Sequence, residues 1–488
     1  MNHSLLLSDA ASDNAILPEH PVCIIHEAYN LRKSAYQYLG IEITPWRIER
    51  VLHKLYSPLP LSGGALAALS RSAKGDAWTA DHKEMIIRRI SQAEEDIAGM
   101  LKQNAAFFRA FLKYINAGIR KDDQRYILKV RYKPETCPFT EMKQAGTLLN
   151  TASRLDRSLA LLLKEIDTLN TGEKTSISGS IDDLGIAVEA YQALVQDLRV
   201  CMSPDSDTMI YWYEVPKDTE SINLSIKASP LHVNEVLFNK VYKNKFALIA
   251  TSATLTVADR FKYFLKRSGM ELIEAERLKT RIYESPFDYE SQCEIWNVTH
   301  LGQPGNPVFD ENVARIVGDI SMEFQLGTLV LTTSYASIRN IRGVLDPISQ
   351  QNHFQLITQM GSASRTALLQ RFIQETNSVL LGTESFWEGV DIPGEPLEVL
   401  VMTKLPFGVP TEPITQAITE DIEKQGGNPF MEYSIPEAIL KFKQGFGRLI
   451  RSKGDKGIAI ITGPASEREA LRKIFCEIHP GARPLREK

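Results

Sequence analysis

The chain has 488 residues with 56 Lys and Arg against 60 Asp and Glu, a formal net charge of −4. That length suffices for two or three domains, each with its own core, and the charge excludes a polycation, so any nucleic-acid contact has to come from local basic grooves. No run reaches the roughly 18 apolar residues of a membrane span, and Leu5-Leu6-Leu7 lacks the flanks of a signal peptide, which leads us to expect a cytoplasmic protein with no membrane partner.

Residues 1–40 contain one helix-like segment and the apolar run Val22-Cys23-Ile24-Ile25, which leads into His26-Glu27-Ala28-Tyr29. From about 41 to 205 the pattern turns helical. Leu148, Leu149, Leu155, Leu159, Leu162, Leu163, Ile166 and Leu169 recur at threes and fours, and the stretch from Met85 to Ile119 reads the same way, as packed amphipathic helices do. Within it Phe107, Phe108, Phe111, Tyr114, Tyr126 and Tyr132 interleave with Arg109, Lys113, Arg120, Lys121, Arg125, Lys129, Arg131 and Lys133. Two arrangements fit: rings stacking on bases with cations tracking phosphates, or rings facing a helical core with cations facing water. Gly172-Glu173-Lys174-Thr175 imitates part of a phosphate-binding loop but lacks the paired glycine and lies between helical segments, which makes it an inter-helix loop.

Met209-Ile210-Tyr211-Trp212-Tyr213 is strand-like, and a second strand, Phe246 to Ala250, empties into Thr251-Ser252-Ala253-Thr254-Leu255. Beyond about 276, apolar runs at 328–333, 354–358, 379–382, 397–403 and 457–462 alternate with helical segments. Runs this continuous predict an α/β fold, a doubly wound parallel sheet with helices on both faces. The loop Leu381 to Gly394, with Glu388, Gly389 and Asp391, follows one strand directly and has the glycines and acids of a ligand-binding strand end. Near the carboxyl terminus Gln444-Gly445-Phe446-Gly447-Arg448-Leu449-Ile450-Arg451 follows a predicted helix. If helical, it sets two guanidiniums three apart, with a glutamine one turn before them, as a donor array for phosphoryl oxygens and a candidate arginine finger. A solvated surface pair of arginines is the plain alternative.

Taken together, these pieces resemble the DinG/XPD family of superfamily 2 DNA helicases over nearly the whole chain. Thr251 to Leu255 resembles that family's motif III, Leu331 to Tyr335 motif IV, Gly382 to Asp391 motif V and Gln444 to Arg451 motif VI, with Ser285-Pro286-Phe287-Asp288 and Leu405-Pro406-Phe407 as further family text. The resemblance implies RecA-like parallel-sheet motor domains with an all-α arch-like insert: 1–40 and 206–275 as parts of a first motor domain, 41–205 as the arch, and 276–488 as a second motor domain. It assigns catalytic roles to Glu27, Gln444, Arg448 and Arg451, nucleotide binding to Glu388, Gly389 and Asp391, coupling to Ser252 and Thr254, and nucleic-acid binding to Thr333, Ser334 and Thr383. ATP, Mg²⁺ and single-stranded DNA are the implied ligands.

The chain departs from the family at three places. Its start resembles the segment shortly before motif II, and no Gly-x-x-x-x-Gly-Lys-Ser/Thr occurs. His26 stands where the family has the acid that holds Mg²⁺, and Tyr29 where it has histidine; an imidazole is a poor ligand for so hard a cation. Gly463-Pro464-Ala465 replaces the Asp-x-Arg expected after the last strand. The expectation is a truncated homologue unable to hydrolyse ATP alone, with a non-catalytic single-strand-binding protein, or half of a split helicase completed by a separate P-loop polypeptide, as alternatives. The five cysteines are scattered, Cys23 reads as a buried hydrophobe, and no iron–sulfur cluster is expected.

Overall fold

The computed structural model describes residues 2–58, 63–73, 78–118, 127–216, 223–298, 300–361, 363–383, 386, 396–462 and 486–487. Among these residues the strands are β1 (Val22–His26), β2 (Ile41–Ile43), β3 (Ile127–Tyr132), β4 (Met209–Pro216), β5 (Ser225–Pro230), β6 (Ala247–Thr251), β7 (Cys293–Val298), β8 (Thr328–Leu331), β9 (Gln355–Thr358), β10 (Ser378–Gly382), β11 (Val399–Met402), β12 (Gly457–Thr462) and β13 (Arg486–Glu487). The chain divides into two compact units. One comprises Met1–Pro18, Lys33–Val236 and Thr411–Ala417, the other Glu19–Arg32, Leu237–Pro410 and Ile418–Lys488.

The first unit is built on three long helices, Ala80–Gly118, Lys143–Thr168 and Ser178–Met202. Leu148, Ala152, Leu155, Leu159, Leu162 and Ile166 form the buried stripe of the second, facing a matching stripe on the first from Ile86 to Ile115. Where the two helices meet, the buried Asp96 carboxylate accepts from Arg154 Nε at 2.7 Å and from Ser158 Oγ at 2.6 Å, so the charge is matched inside the interface. Of the interleaved aromatics, Phe107, Phe108, Phe111 and Tyr132 lie in this core, which is the second of the two arrangements above; Tyr114 is 53% exposed. Arg120, Lys121, Arg125 and Tyr126 fall outside the described residues.

This unit is not all helix. An antiparallel sheet of order β2-β5-β4-β3 packs Tyr132, Tyr211, Tyr213 and Ile226 against the helices. The strand at 209–216, expected in one motor domain with the motif III strand, pairs in this sheet. An apolar run buried on both faces does not encode which partner it will meet, and β4 pairs with β5, the next strand along the chain, and with β3 at long range.

Gly172-Glu173-Lys174-Thr175 lies in the short helix Thr171–Ser176, where Asn170 and Glu173 form a reciprocal cap. Glu173 also accepts from Thr79 N at 3.1 Å and His82 Nδ1 at 2.8 Å. Burial pushes its carboxyl up, but the Thr79 and Asn170 amides and His82 outweigh that and hold it below the ordinary carboxylate range. A lowered folded value means that this group stabilises the fold above the unfolded pKa and loses its contribution as pH falls through the folded one. Melting temperatures are therefore expected to drop below about pH 4, with a shallower drop in the Glu173→Gln variant; identical acid slopes for the two proteins would contradict this.

In the second unit β1 and β6 form a parallel pair, with Ile24 opposite Ile249 and His26 opposite Thr251. The other sheet has the order β13-β7-β12-β11-β8-β10-β9, and all its pairings are parallel. Residues of alternate parity enter two cores. Leu329, Leu331, Leu380, Leu400, Met402 and Ile461 meet helices Arg365–Gln374 and Ile435–Phe446, while Val330, Val379, Leu381, Val399, Val401 and Ile460 meet helices Pro307–Phe324 and Tyr335–Asn352. Both faces are covered, which is why these strands read as unbroken apolar runs and not as alternation.

Candidate functional site

Parallel strands end on one edge, and the polar residues that follow them gather there. At the end of β1, Glu27 adopts a left-handed backbone with φ 51°, and the amide of Ala28 donates to Thr251 O at 3.0 Å. This turn brings the Glu27 carboxylate to the end of β6, where Ser252 Oγ donates to Glu27 Oε2 at 2.6 Å. Thr254 N donates to Ser252 Oγ at 3.4 Å, and Gln444 Nε2 donates to the Thr254 hydroxyl at 3.3 Å. The chain of contacts therefore runs from Glu27 through Ser252 and Thr254 to Gln444. Lys443 Nζ reaches Thr256 O at 3.1 Å, a second tie between the same two segments.

The arginines are not on a helical turn. Helix Ile435–Phe446 stops before them, and Arg448 and Leu449 continue as a tighter turn in which their amides donate to Gly445 O and Phe446 O. Gly445 and Gly447 weaken the helix here, and Asp455 competes for the amides beyond, accepting from Arg451 N and Ser452 N at 2.8 Å each. Burial pushes the Asp455 carboxyl up, but the Ser452 hydroxyl, these two amides and the Arg451 charge outweigh it and lower its pKa. Leu449 and Ile450 plug the core, and Arg448 and Arg451 flank them, each half-buried and not turned out into water.

Along the larger sheet the strand ends carry hydroxyls. Thr332 Oγ1 shares its hydrogen between Ser334 O at 3.2 Å and Gly382 O at 3.4 Å, while Thr403 Oγ1 donates to Leu331 O and Thr462 Oγ1 to Thr403 O, a ladder along the ends of β8, β11 and β12. Thr333 follows Thr332 and is half-buried, and Ser334 caps helix Tyr335–Asn352 by accepting from Ser337 N. Thr383, 8% exposed, donates its hydroxyl hydrogen and its amide to Gln359 Oε1 at 2.9 and 2.7 Å, while Gln359 Nε2 donates to Tyr335 OH. Gly382 is a glycine because the ring of the buried Phe386 lies 2.8 Å from where a Cβ would sit. Glu388, Gly389 and Asp391 lie outside the described residues.

The structure thus joins Glu27, Ser252, Thr254 and Gln444, sets the arginines just beyond Gln444, and keeps Thr333, Ser334 and Thr383 on the ends of β8 and β10. Gln359 was missed, because a glutamine at a strand end carries no motif, and Tyr335, though the last residue of the motif IV stretch, was given no role. Donor chemistry at the end of β1 does not fit Mg²⁺: it offers one carboxylate, already hydrogen-bonded, and an imidazole whose Nδ1 faces Thr251 Oγ1 at 3.4 Å. Among the described residues no group of three or more His, Cys, Asp or Glu is placed to hold a metal ion. Cys23 is buried, which raises its thiol pKa.

Residues 317–480 match the family described as a helicase C-terminal domain. The chain is 28% identical, over 98% of its length, to the 3'-5' exonuclease DinG of Bacillus subtilis, covering 51% of that protein. It is 33% identical, over 64% of its length, to the ATP-dependent DNA helicase YoaA of Haemophilus influenzae, covering 47% of it. The chain is thus similar to DinG-type helicases over nearly its whole length and contains a match to a helicase C-terminal domain. It spans about half the length of these two relatives. Among solved structures it is similar to Xpd4 of S. tokodaii, at 14% identity and a TM-score of 0.48, over 93% of this chain and 73% of that one. The mixed α/β fold contains parallel sheets, as expected from the unbroken apolar runs. No helix among the described residues is long and apolar enough to cross a membrane.

Proposed function

We propose that this chain is the part of a DinG-type ATP-dependent DNA helicase that presents Gln444, Arg448 and Arg451 to a phosphoryl group, and that it does not hydrolyse ATP by itself. The observation that carries this reading is the hydrogen-bonded line from Glu27 through Ser252 and Thr254 to Gln444, which ties the end of β6 to the arginine segment. Guanidiniums stay charged at any accessible pH, so Arg448 and Arg451 offer positive charge to phosphoryl oxygens while Gln444 adds a neutral donor. Ser252 and Thr254 lie between the two and couple them. Thr333, Ser334 and Thr383 take the phosphates of a single DNA strand, and Glu388, Gly389 and Asp391 the nucleotide side. The absence of a Gly-x-x-x-x-Gly-Lys-Ser/Thr loop from the sequence and the misfit of His26 to Mg²⁺ support the inactive part.

Purified protein is expected to bind single-stranded DNA with an affinity that falls steeply with salt and does not respond to ATP, and to show no Mg²⁺-dependent, DNA-stimulated ATP hydrolysis above the blank. Turnover on the order of 1 s⁻¹, ordinary for an enzyme, would overturn the inactive part, and no DNA binding at low salt would overturn the DNA part.

A second reading is favoured by one observation. β6 pairs only with β1 among the described residues, Val22, Ile24, Phe246 and Ile249 are 53, 68, 82 and 51% exposed, and a groove of about 880 Å³ follows every residue from Lys245 to Ala253. An apolar strand with an open edge invites another strand. A separate polypeptide carrying a P-loop is the partner this reading names, and co-purification with recovery of ATPase activity, abolished by Ile249→Lys, is its test.

A further inference from the structure

Three segments of the second unit converge on one buried carboxylate that no motif contains. Glu437 lies in the first turn of helix Ile435–Phe446, and its Oε1 accepts from Arg32 Nη2 and from Tyr263 OH, both at 2.5 Å. Arg32 belongs to the helix that follows β1 and Glu27, and Tyr263 to the helix that follows β6 and Thr254. Arg267, one turn beyond Tyr263, places its guanidinium carbon 5.1 Å from the centre of the Tyr433 ring, and Arg32 approaches the same ring at 5.9 Å. Burial alone would raise the Glu437 pKa, but Arg32, Tyr263 and Arg267 hold it below the ordinary range, so the group is an anion inside the unit.

Helix geometry gives this cluster a consequence. Glu437 and Gln444 are seven residues apart, two turns, and so share one face of the helix at about 10 Å separation. At one point that face is fastened to the segments behind Glu27 and Thr254 through Glu437, and at the other to Thr254 itself through Gln444. Turning the helix by one residue, about 100°, would break both ties and carry the arginine segment off the line.

We propose that Glu437 is a positioning residue: its clamp on Arg32 and Tyr263 sets the rotation of the helix and thereby aims Arg448 and Arg451 toward the Glu27–Ser252 side. The inference rests on the proposed role of the arginines, and the test keeps the two apart. Amide hydrogen exchange of the full chain is followed by mass spectrometry in Glu437→Ala, Glu437→Gln and Tyr263→Phe. The clamp predicts at least tenfold faster exchange at 444–452 in Glu437→Ala, with β8 and β11 unchanged. Glu437→Gln, which keeps an acceptor, is expected to restore most of the protection, and Tyr263→Phe, which removes one hydroxyl, to fall between. Exchange that rises uniformly through the unit, or not at all at 444–452, overturns the proposal; should Glu437→Ala fail to fold, Tyr263→Phe decides by the same pattern. Binding of a fluorescent ATP analogue to Arg448→Ala, whose clamp is intact, reads the arginine role separately. Unchanged binding there counts against that role and leaves the exchange result to judge the clamp.

Discussion

Arg32→Ala is expected to destabilise the second unit by about 3–5 kcal/mol, the cost of leaving a buried charge without its partner. Glu437 would keep the Tyr263 hydroxyl and the more distant Arg267, neither of which replaces a direct ion pair at 2.5 Å. Tyr263→Phe, which removes one hydrogen bond and no charge, is expected to cost about 1–3 kcal/mol. The pH dependence identifies the cause. In the native protein the depressed Glu437 pKa contributes stability that is present above the ordinary carboxylate value and is lost as pH falls through the folded one. Without Arg32, burial dominates and the carboxyl takes up a proton, so the penalty is largest near neutrality and shrinks toward about pH 5. Guanidinium denaturation at the two pH values measures this, and a penalty that does not vary with pH would rule the ion pair out as its origin. The double variant Arg32→Met with Glu437→Leu is expected to recover much of the loss, since an apolar pair of similar volume needs no compensation.

Phe111→Ala is expected to cost the first unit about 3–5 kcal/mol. The side chain is fully buried, and its ring stands 4.9 Å from Phe139, 5.2 Å from Tyr213 and 5.8 Å from Phe107, centre to centre. It joins the long helix to the antiparallel sheet, so its loss empties a space that neither a rigid helix nor a paired strand can close. Calorimetry of the variant is expected to show the transition of this unit lowered by several degrees, while Tyr114→Ala, on an exposed neighbour, shifts it little. Equal shifts for the two would mean that the ring cluster does not hold the sheet to the helices.

What could be read from the sequence followed from how local each signal was. The strands of the larger sheet showed themselves because burial on both faces leaves unbroken apolar runs, and 379–382 and 457–462 fall within a residue of β10 and β12. Helix Lys143–Thr168 was legible from the spacing of Leu148, Leu155, Leu159 and Leu162. Partnership was not: Met209 to Tyr213 is as apolar as a parallel strand, and only its pairing with β5, the next strand along the chain, and with the distant β3 makes it part of an antiparallel sheet. At the site, residue types pointed to Glu27, Ser252, Thr254 and Gln444, whereas the spacing of Arg448 and Arg451 pointed to a helix that the two glycines and Asp455 end early. Glu437 left no trace in the sequence, since one acid in the first turn of a helix is ordinary and its meaning lies in Arg32, more than four hundred positions away.

The hydroxyl ladder limits how a ligand can be held at that sheet edge. Thr332, Thr403 and Thr462 have each given their one hydrogen to a main-chain oxygen, and Thr383 has given its own to Gln359. A phosphate diester brings no hydrogen of its own, so it could engage any of them only by displacing an internal acceptor. Such an exchange trades one bond for another with little net gain. Under the DNA reading proposed above, Thr383 would therefore engage a phosphate only by releasing Gln359, while Thr332, Thr403 and Thr462 form an already satisfied rim beside it.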